Sequence, residues 1–389
     1  MAIETSYDWM NDPIEVDAIL RLGARAADYA PRVREIRSFW SDPAYRQVQY
    51  FIAILEDPQA PCQQRMGWLP QLSPPVTRQA MFRDMDLSLR VQLTLIDRRM
   101  GAGLKDIWTP SLWPLCGNNA CTGAFGCRDV FVDPMQYPWV NPVVEQPQDV
   151  YCLSSDLEES PVAQRILRAI ADWRRVTCDR LPIRVPDLEG PFTAASQVLG
   201  SVQSLEMVAL NPDELHHFLQ LYTDVALKWM WQELTAAGEN VYWGTFHVRL
   251  PSRHIAVAAD SLVLVSSEHV AKFAVPYYTQ LTSGYDGFVV HYCGGNTHVL
   301  PILKDIPGFK GVDSQFSLEQ YRLAREILGP EPVILTLLID GPPGSVDIRP
   351  EFLRDYLEMI KGDRTIIWLR TGSVEEARNL EKIVHKYGR

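Results

Sequence analysis

An imidazole and a thiol two residues apart, followed by paired glycines, occur at Val289-Val290-His291-Tyr292-Cys293-Gly294-Gly295. On a strand, side chains two apart share a face, so His291 and Cys293 would be presented to one point. That pair is half of a zinc site. The glycines would permit a tight turn or a close backbone approach. The same residues also suit a hydrogen-bonded histidine beside a buried structural cysteine. Asp313 ends what reads as the next strand and is the candidate third ligand, 20 residues after Cys293. Its alternative roles are capping the helix that starts near Ser317 or pairing with a barrel arginine.

Other groups could do chemistry. Asp187 and Glu189 precede Gly190-Pro191. Paired carboxylates suit acid–base work or the support of a ligand from behind. Asp260 offers the same chemistry, and Arg370 is the cation that a metal-free lyase would use with Asp187. His247 and Asp340 close two further apolar runs and are candidates for binding substrate. Cys116 and Asn118 join them, in a glycine-rich loop running to Cys127. Its cysteines, Cys116, Cys121 and Cys127, have the spacing C-x4-C-x5-C, which matches no common zinc or iron–sulfur pattern. Thiols lining a loop are the expectation there. Trp229, Trp231, Tyr242 and Trp243 are expected in the core. No G-x-G-x-x-G follows a strand and no Walker motif occurs, so nucleotide chemistry has no signature.

The elements that must position these residues show in the apolar pattern. From about residue 104, short apolar runs alternate with longer amphipathic segments. Eight runs are candidate strands: Asp106–Pro110, Ile183–Asp187, Val241–His247, Ile255–Asp260, Phe288–Cys293, Gly311–Asp313, Val333–Asp340 and Thr365–Arg370. Helical patterns fill most of the gaps, with start signals at Asn211-Pro212, Ser317 and Ser373. Strand–helix alternation implies parallel strands with crossover helices. Eight units predict a (β/α)8 TIM barrel, an α/β fold, with a doubly wound sheet as the alternative. Most of the candidate chemistry falls at the C-terminal ends of the runs, the face that carries the active site in a barrel. Before them, residues 13 to about 100 read as a helical layer, including the series Val48, Phe51, Ile52, Ile54 and Leu55. The expected division is a helical extension over 1–102 packed on a barrel over 103–389.

Composition narrows the function classes. Of 389 residues, 47% are hydrophobic and 22% charged, enough apolar surface for a large core. The net charge is −11 and the isoelectric point about 5.3, which argues against a nucleic-acid or anionic-membrane partner. No run of about 18 apolar residues occurs, so no spanning helix is expected. The seven cysteines are odd in number in a long chain without a signal-peptide pattern, and a reducing cytoplasm is the expected setting.

Several segments together resemble one family. Pro186-Asp187-Leu188-Glu189-Gly190-Pro191-Phe192-Thr193-Ala194-Ala195 resembles the second-strand turn of uroporphyrinogen decarboxylase-like proteins. Asp260-Ser261, Ser266-Ser267-Glu268 and Phe273-Ala274-Val275-Pro276-Tyr277 resemble their fourth-strand and helix segment. His291-Tyr292-Cys293-Gly294 resembles the His-x-Cys-Gly motif of the methyltransferase branch. The resemblance covers roughly residues 100 to 389. It implies a TIM barrel and, in that branch, zinc and a corrinoid protein as partner. The decarboxylase's R-Q-A-G-R-like motif has no counterpart: Arg65-Met66-Gly67 and Arg78-Gln79-Ala80-Met81 lack the rest of it. The branch usually adds a cysteine at the last strand, where this chain reads Trp368-Leu369-Arg370-Thr371-Gly372-Ser373. One cysteine with a carboxylate and a histidine leaves zinc a stronger Lewis acid, suited to an ether or alcohol oxygen. The expected activity is a zinc-dependent methyl transfer between a small-molecule methyl donor and a corrinoid protein, with the oligomeric state left open and a homodimer among the options. The competing readings are a metal-free decarboxylase-type lyase and a barrel that binds a tetrapyrrole or corrinoid without turnover.

Overall fold

The computed structural model describes residues 7–54, 76–114, 120–186, 188–245, 248–341 and 348–388. Short, buried strands alternate with amphipathic helices. The strands that matter here are β1 (Gln49–Ile54), β2 (Ile183–Val185), β3 (Leu188–Glu189), β4 (Val241–Thr245), β5 (His254–Ala258), β6 (Gly287–His291), β7 (Phe309–Ser314), β8 (Val333–Leu337) and β9 (Thr365–Thr371). Seven of them form one parallel sheet in the order β1-β9-β8-β7-β6-β5-β3. β2 pairs with β4 in a second, smaller sheet.

The ring closes through the extended segment that follows the first long helix, Met85–Ala102. Ile107 donates its N–H to Tyr50 O, Leu112 donates to Pro182 O, and Arg184 donates back to Leu112 O. Leu112 thereby forms a parallel bridge with Ile183. The fold is a TIM barrel with helices on the outside, as the alternation of runs predicts.

Two element assignments differ from the sequence reading. Residues 49–54, expected in the helical layer, are a fully paired strand, so the sheet draws on both sides of the boundary expected after residue 102. A strand buried on both faces carries a continuous apolar run, and such a run has no period that separates it from a helix. Asp106–Pro110, expected as the first strand, lies outside any strand. Asp106 instead turns its carboxylate to Ile52 N at 2.8 Å and pairs with Arg99.

The helices match more closely. Pro161–Val176, Pro212–Ala237, Leu318–Leu328, Pro350–Met359 and Val374–Tyr387 form where the pattern puts them. Ser160, Ser317 and Ser373 each accept a backbone N–H from the first turn, and Ser317 with Gln320 completes a capping box. The helix expected over Ser267–Leu281 is broken at Ala274, ahead of Pro276. Trp229, Tyr242 and Trp243 are in the core as expected, but Trp231 is exposed. Among the described residues, no helix is long and apolar enough to cross a membrane.

Candidate metal centre

Register decides which side chains meet at the C-terminal mouth. Ala258 on β5, His291 on β6 and Asp313 on β7 are successive Cα partners across the sheet. Asp260 lies two residues past Ala258 and Cys293 two residues past His291, so they stand level with each other one step closer to the mouth. His291 and Asp313 are buried, Asp260 is half-buried and Cys293 is exposed.

Asp260, His291 and Cys293 offer an oxygen, a nitrogen and a sulfur that all lie within 4.8 Å of one another. The Cys293 Sγ is 3.7 Å from His291 Nε2. The Cys293 backbone N–H donates to Asp260 Oδ1 at 2.6 Å, which fixes that carboxylate against the strand end. A carboxylate accepts through several lone pairs, so one hydrogen bond leaves capacity for a cation. Donors on one tetrahedral zinc ion stand about 3.3–3.8 Å apart, given zinc bonds of 2.0–2.3 Å. The imidazole–thiol spacing already meets that figure, and a small contraction brings in the carboxylate. The residues fit a zinc ion with three protein ligands and an open side toward solvent.

Asp313, the expected third ligand, stands elsewhere. Its Oδ2 is 3.3 Å from His291 Nδ1, on the far side of the ring from Cys293. It is pinned there by Thr245 on β4, whose hydroxyl donates to Oδ2 at 2.5 Å. Asp313 therefore supports the histidine, and Asp260, expected in acid–base work, takes the position beside the two donors. Sequence spacing alone favoured Asp313 because it ends the adjoining strand. The choice is made by the direction each carboxylate takes, and the Cys293 N–H turns Asp260 inward.

The glycine pair behaves as its residue type predicts. Gly294 and Gly295 have φ of +94° and +66°, left-handed conformations that side chains disfavour. A Cβ on Gly295 would lie 2.3 Å from Gln315 O. The turn presses onto the end of β7, where Gln315 Oε1 accepts the Gly294 N–H at 2.8 Å and Ser314 Oγ accepts the Gly295 N–H at 3.0 Å. The Gln315 amide comes within 4.0 Å of Cys293 Sγ. Neither Thr245 nor Gln315 carried a sequence signal of its own. The available clue for Thr245 was its place in the sequence two residues before His247, a spacing that shares a face on the strand expected there.

The remaining expected site residues divide. Glu189 is buried at the level of Ala258, accepts the Tyr222 hydroxyl on its backbone carbonyl at 2.9 Å, and is not among the converging donors. Burial, with the charges of Glu189 and Asp260, keeps the Tyr278 phenol protonated well beyond its ordinary range. That hydroxyl donates to Ala258 O and anchors the end of β5. Arg370 is buried on β9, its guanidinium 5.2 Å from the Trp368 ring centre. Asp340 was expected to bind substrate. Its two oxygens instead take the Arg349 side chain and backbone N–H at 2.7–2.9 Å, which holds its carboxyl below the usual range. Asp187, His247, Cys116 and Asn118 lie outside the described residues. Cys121 and Cys127 are buried thiols, and burial pushes both up, Cys127 to about 12. Burial keeps them in the thiol form, and neither is among the converging donors.

The comparisons with known proteins bear on the family and the fold. The family model for uroporphyrinogen decarboxylase (URO-D) matches residues 121–335, more than half of the chain and all of the donor cluster. The chain belongs to the uroporphyrinogen decarboxylase family. Within that family it is 27% identical over 228 residues to a protein of Methanosarcina mazei named methylated-thiol–coenzyme M methyltransferase. That alignment takes in 57% of this chain and 54% of the relative, so the chain spans about half the length of the curated relative it matches. A solved methyltransferase structure from Methanosarcina mazei superposes with a TM-score of 0.61 at 16% identity, covering 92% of this chain and 99% of that one. At that identity the superposition speaks for the fold, and the fold is shared nearly end to end.

Proposed function

We propose that the protein is a zinc-dependent methyltransferase that moves a methyl group between a small methylated substrate and a corrinoid protein. The observation that carries the reading is the convergence of Asp260, His291 and Cys293 at the barrel mouth. The methyltransferase name of a family relative supports the reaction class.

Each residue has a distinct task in this reading. Asp260, His291 and Cys293 hold the ion. When bound, zinc supplies Lewis acidity toward the heteroatom that bears the methyl group. Asp313 and Thr245 hold the imidazole from behind, and the Gln315 amide steadies the sulfur. Tyr278 and the Cys293 N–H keep the end of β5 and Asp260 in place. Cys293 is exposed, so the site opens outward, as it must if a methyl group is to pass to a cofactor carried on another protein. With one sulfur donor the site favours oxygen substrates over thiols.

The test has two arms. Metal analysis of the purified protein and of a Cys293→Ser variant should find one zinc per chain in the first and a large loss in the second. Methyl transfer from small methyl ethers to cob(I)alamin, a soluble stand-in for the partner, should be visible as a change in corrinoid absorbance. A wild-type protein that takes up no zinc and methylates no corrinoid would sink the proposal.

A further inference from the structure

The geometry points to a positioning role for Asp313 and Thr245: together they fix the tautomer of His291 before any metal arrives. The inference rests on the reading of His291 as a ligand, but it concerns the chain's own atoms and can fail separately.

Three contacts carry it. His291 Nδ1 lies 3.3 Å from Asp313 Oδ2. The Thr245 hydroxyl donates to that same oxygen at 2.5 Å. His291 Nε2 faces Cys293 Sγ at 3.7 Å. The 3.3 Å approach is not a formed hydrogen bond, but Oδ2 already acts as an acceptor toward Thr245, so a ring nitrogen this close is favoured with a proton on it, because two lone pairs would repel. A neutral imidazole has one N–H and one lone pair. With the proton on Nδ1, the lone pair lies on Nε2, toward the sulfur and Asp260. The opposite tautomer would aim a lone pair at a buried carboxylate and an N–H at the site where a cation belongs.

The surroundings leave Asp313 few other partners. It borders a cavity of about 10 Å³ shared with Phe51, Leu335, Ile366 and Trp368, room for about one water. Solvent therefore does little to satisfy this carboxylate, and the imidazole and the threonine do the rest. Asp313 is also the Cα partner of His291 on the neighbouring strand, so the contact is set by the barrel's register and not by a loop. Ligand histidines held in this way bind metal more tightly because the ring is turned and protonated correctly beforehand.

The test reads the tautomer directly. The full chain, labelled with ¹⁵N-histidine and stripped of metal, is examined by long-range ¹H–¹⁵N correlation at a pH where the imidazoles are neutral. The His291 signal is identified among the eight histidines by its loss in His291→Gln. The wild type should carry the proton on Nδ1. Asp313→Leu should return His291 to a mixture, and Thr245→Val, which keeps the side-chain shape, should shift it in the same direction by less. Zinc affinity, from competition with a chromophoric chelator, should fall by about 10- to 100-fold in Asp313→Leu. Circular dichroism of each variant guards against misfolding. A wild-type proton on Nε2, or a tautomer indifferent to both substitutions, overturns the inference. A preset, Asp313-dependent tautomer in a protein that takes up no zinc would leave this inference standing while the zinc reading falls.

Discussion

Replacing Asp260 removes two things at once, and comparing two substitutions separates them. Its carboxylate is one of three converging donors, and its Oδ1 also accepts the Cys293 N–H at 2.6 Å. Zinc bound by four protein ligands is held by about 10–16 kcal/mol, or roughly 3 kcal/mol per ligand. The bond to the Cys293 N–H is already formed without metal and holds Cys293 in place, so losing that preorganisation costs up to about 1.5 kcal/mol more. Asp260→Ala loses both, so zinc affinity should fall by about a thousandfold. Asp260→Asn keeps an acceptor for the Cys293 N–H but offers a poorer ligand, and should fall by about a hundredfold. The assay is chelator competition under reducing conditions at neutral pH, with thermal melting to verify that each variant folds. If Asp260→Ala binds zinc within threefold of the wild type, Asp260 is not a ligand. If Asp313→Ala then loses all binding, the roles assigned here to the two aspartates are reversed.

Other outcomes follow from the same coordinates. Burial raises the Glu233 carboxyl to about 8 from its ordinary 4.5, so the unfolded chain ionises first and the stability that rests on neutral Glu233 is lost as pH rises from about 4.5 to 8. Glu233→Gln should therefore melt increasingly above the wild type across that window in a pH series of thermal scans, and a constant difference would contradict it. Among the five described cysteines, Cys152, Cys178 and Cys293 are exposed and Cys121 and Cys127 buried. Of these five, iodoacetamide should label only the first three in the native protein, and zinc should protect Cys293 alone among them, as mass spectrometry would reveal. Gly295→Ala must take a left-handed backbone, costing about 1–2 kcal/mol, with its Cβ against Gln315 O. It should lower the melting temperature and weaken zinc binding together, and an unchanged melt would refute the close approach.

Much of the barrel is legible because its strands obey one rule. Phe288 to His291, Gly311 to Asp313 and Val333 to Leu337 are apolar runs leading toward polar residues, and the polar end is the mouth. β1 follows the rule, since Gln49–Ile54 leads through Leu55 to Glu56 and Asp57, but its continuous run of buried side chains mimics a helical series and hides it. The His291–Cys293 pair is legible from a period of two. The third donor is not, because Asp260 sits in a short helical turn after β5 and its direction depends on a backbone N–H two strands' worth of sequence away. Thr245 is hidden for a similar reason. An uncharged hydroxyl has no pattern in one dimension, and its bond to Asp313 spans 68 residues.

The donor set bears on which substrates the proposed enzyme takes. One thiolate, one carboxylate and a neutral imidazole neutralise a zinc ion's charge as fully as two thiolates and an imidazole would. The difference is softness. A carboxylate oxygen gives up less electron density than sulfur, so the ion keeps more of its Lewis acidity. That favours polarising a hard ether or alcohol oxygen, and it disfavours lowering the pKa of a bound thiol. Asp260→Cys should then move the preference from methyl ethers toward methyl thioethers at equal charge. The carboxylate brace on Cys293 N is lost in that variant, so absolute rates fall, and the informative quantity is the ratio of kcat/KM for the two substrate classes. A ratio that stays put while zinc remains bound would mean that the substrate pocket, and not the metal's third ligand, decides which methyl donor is used.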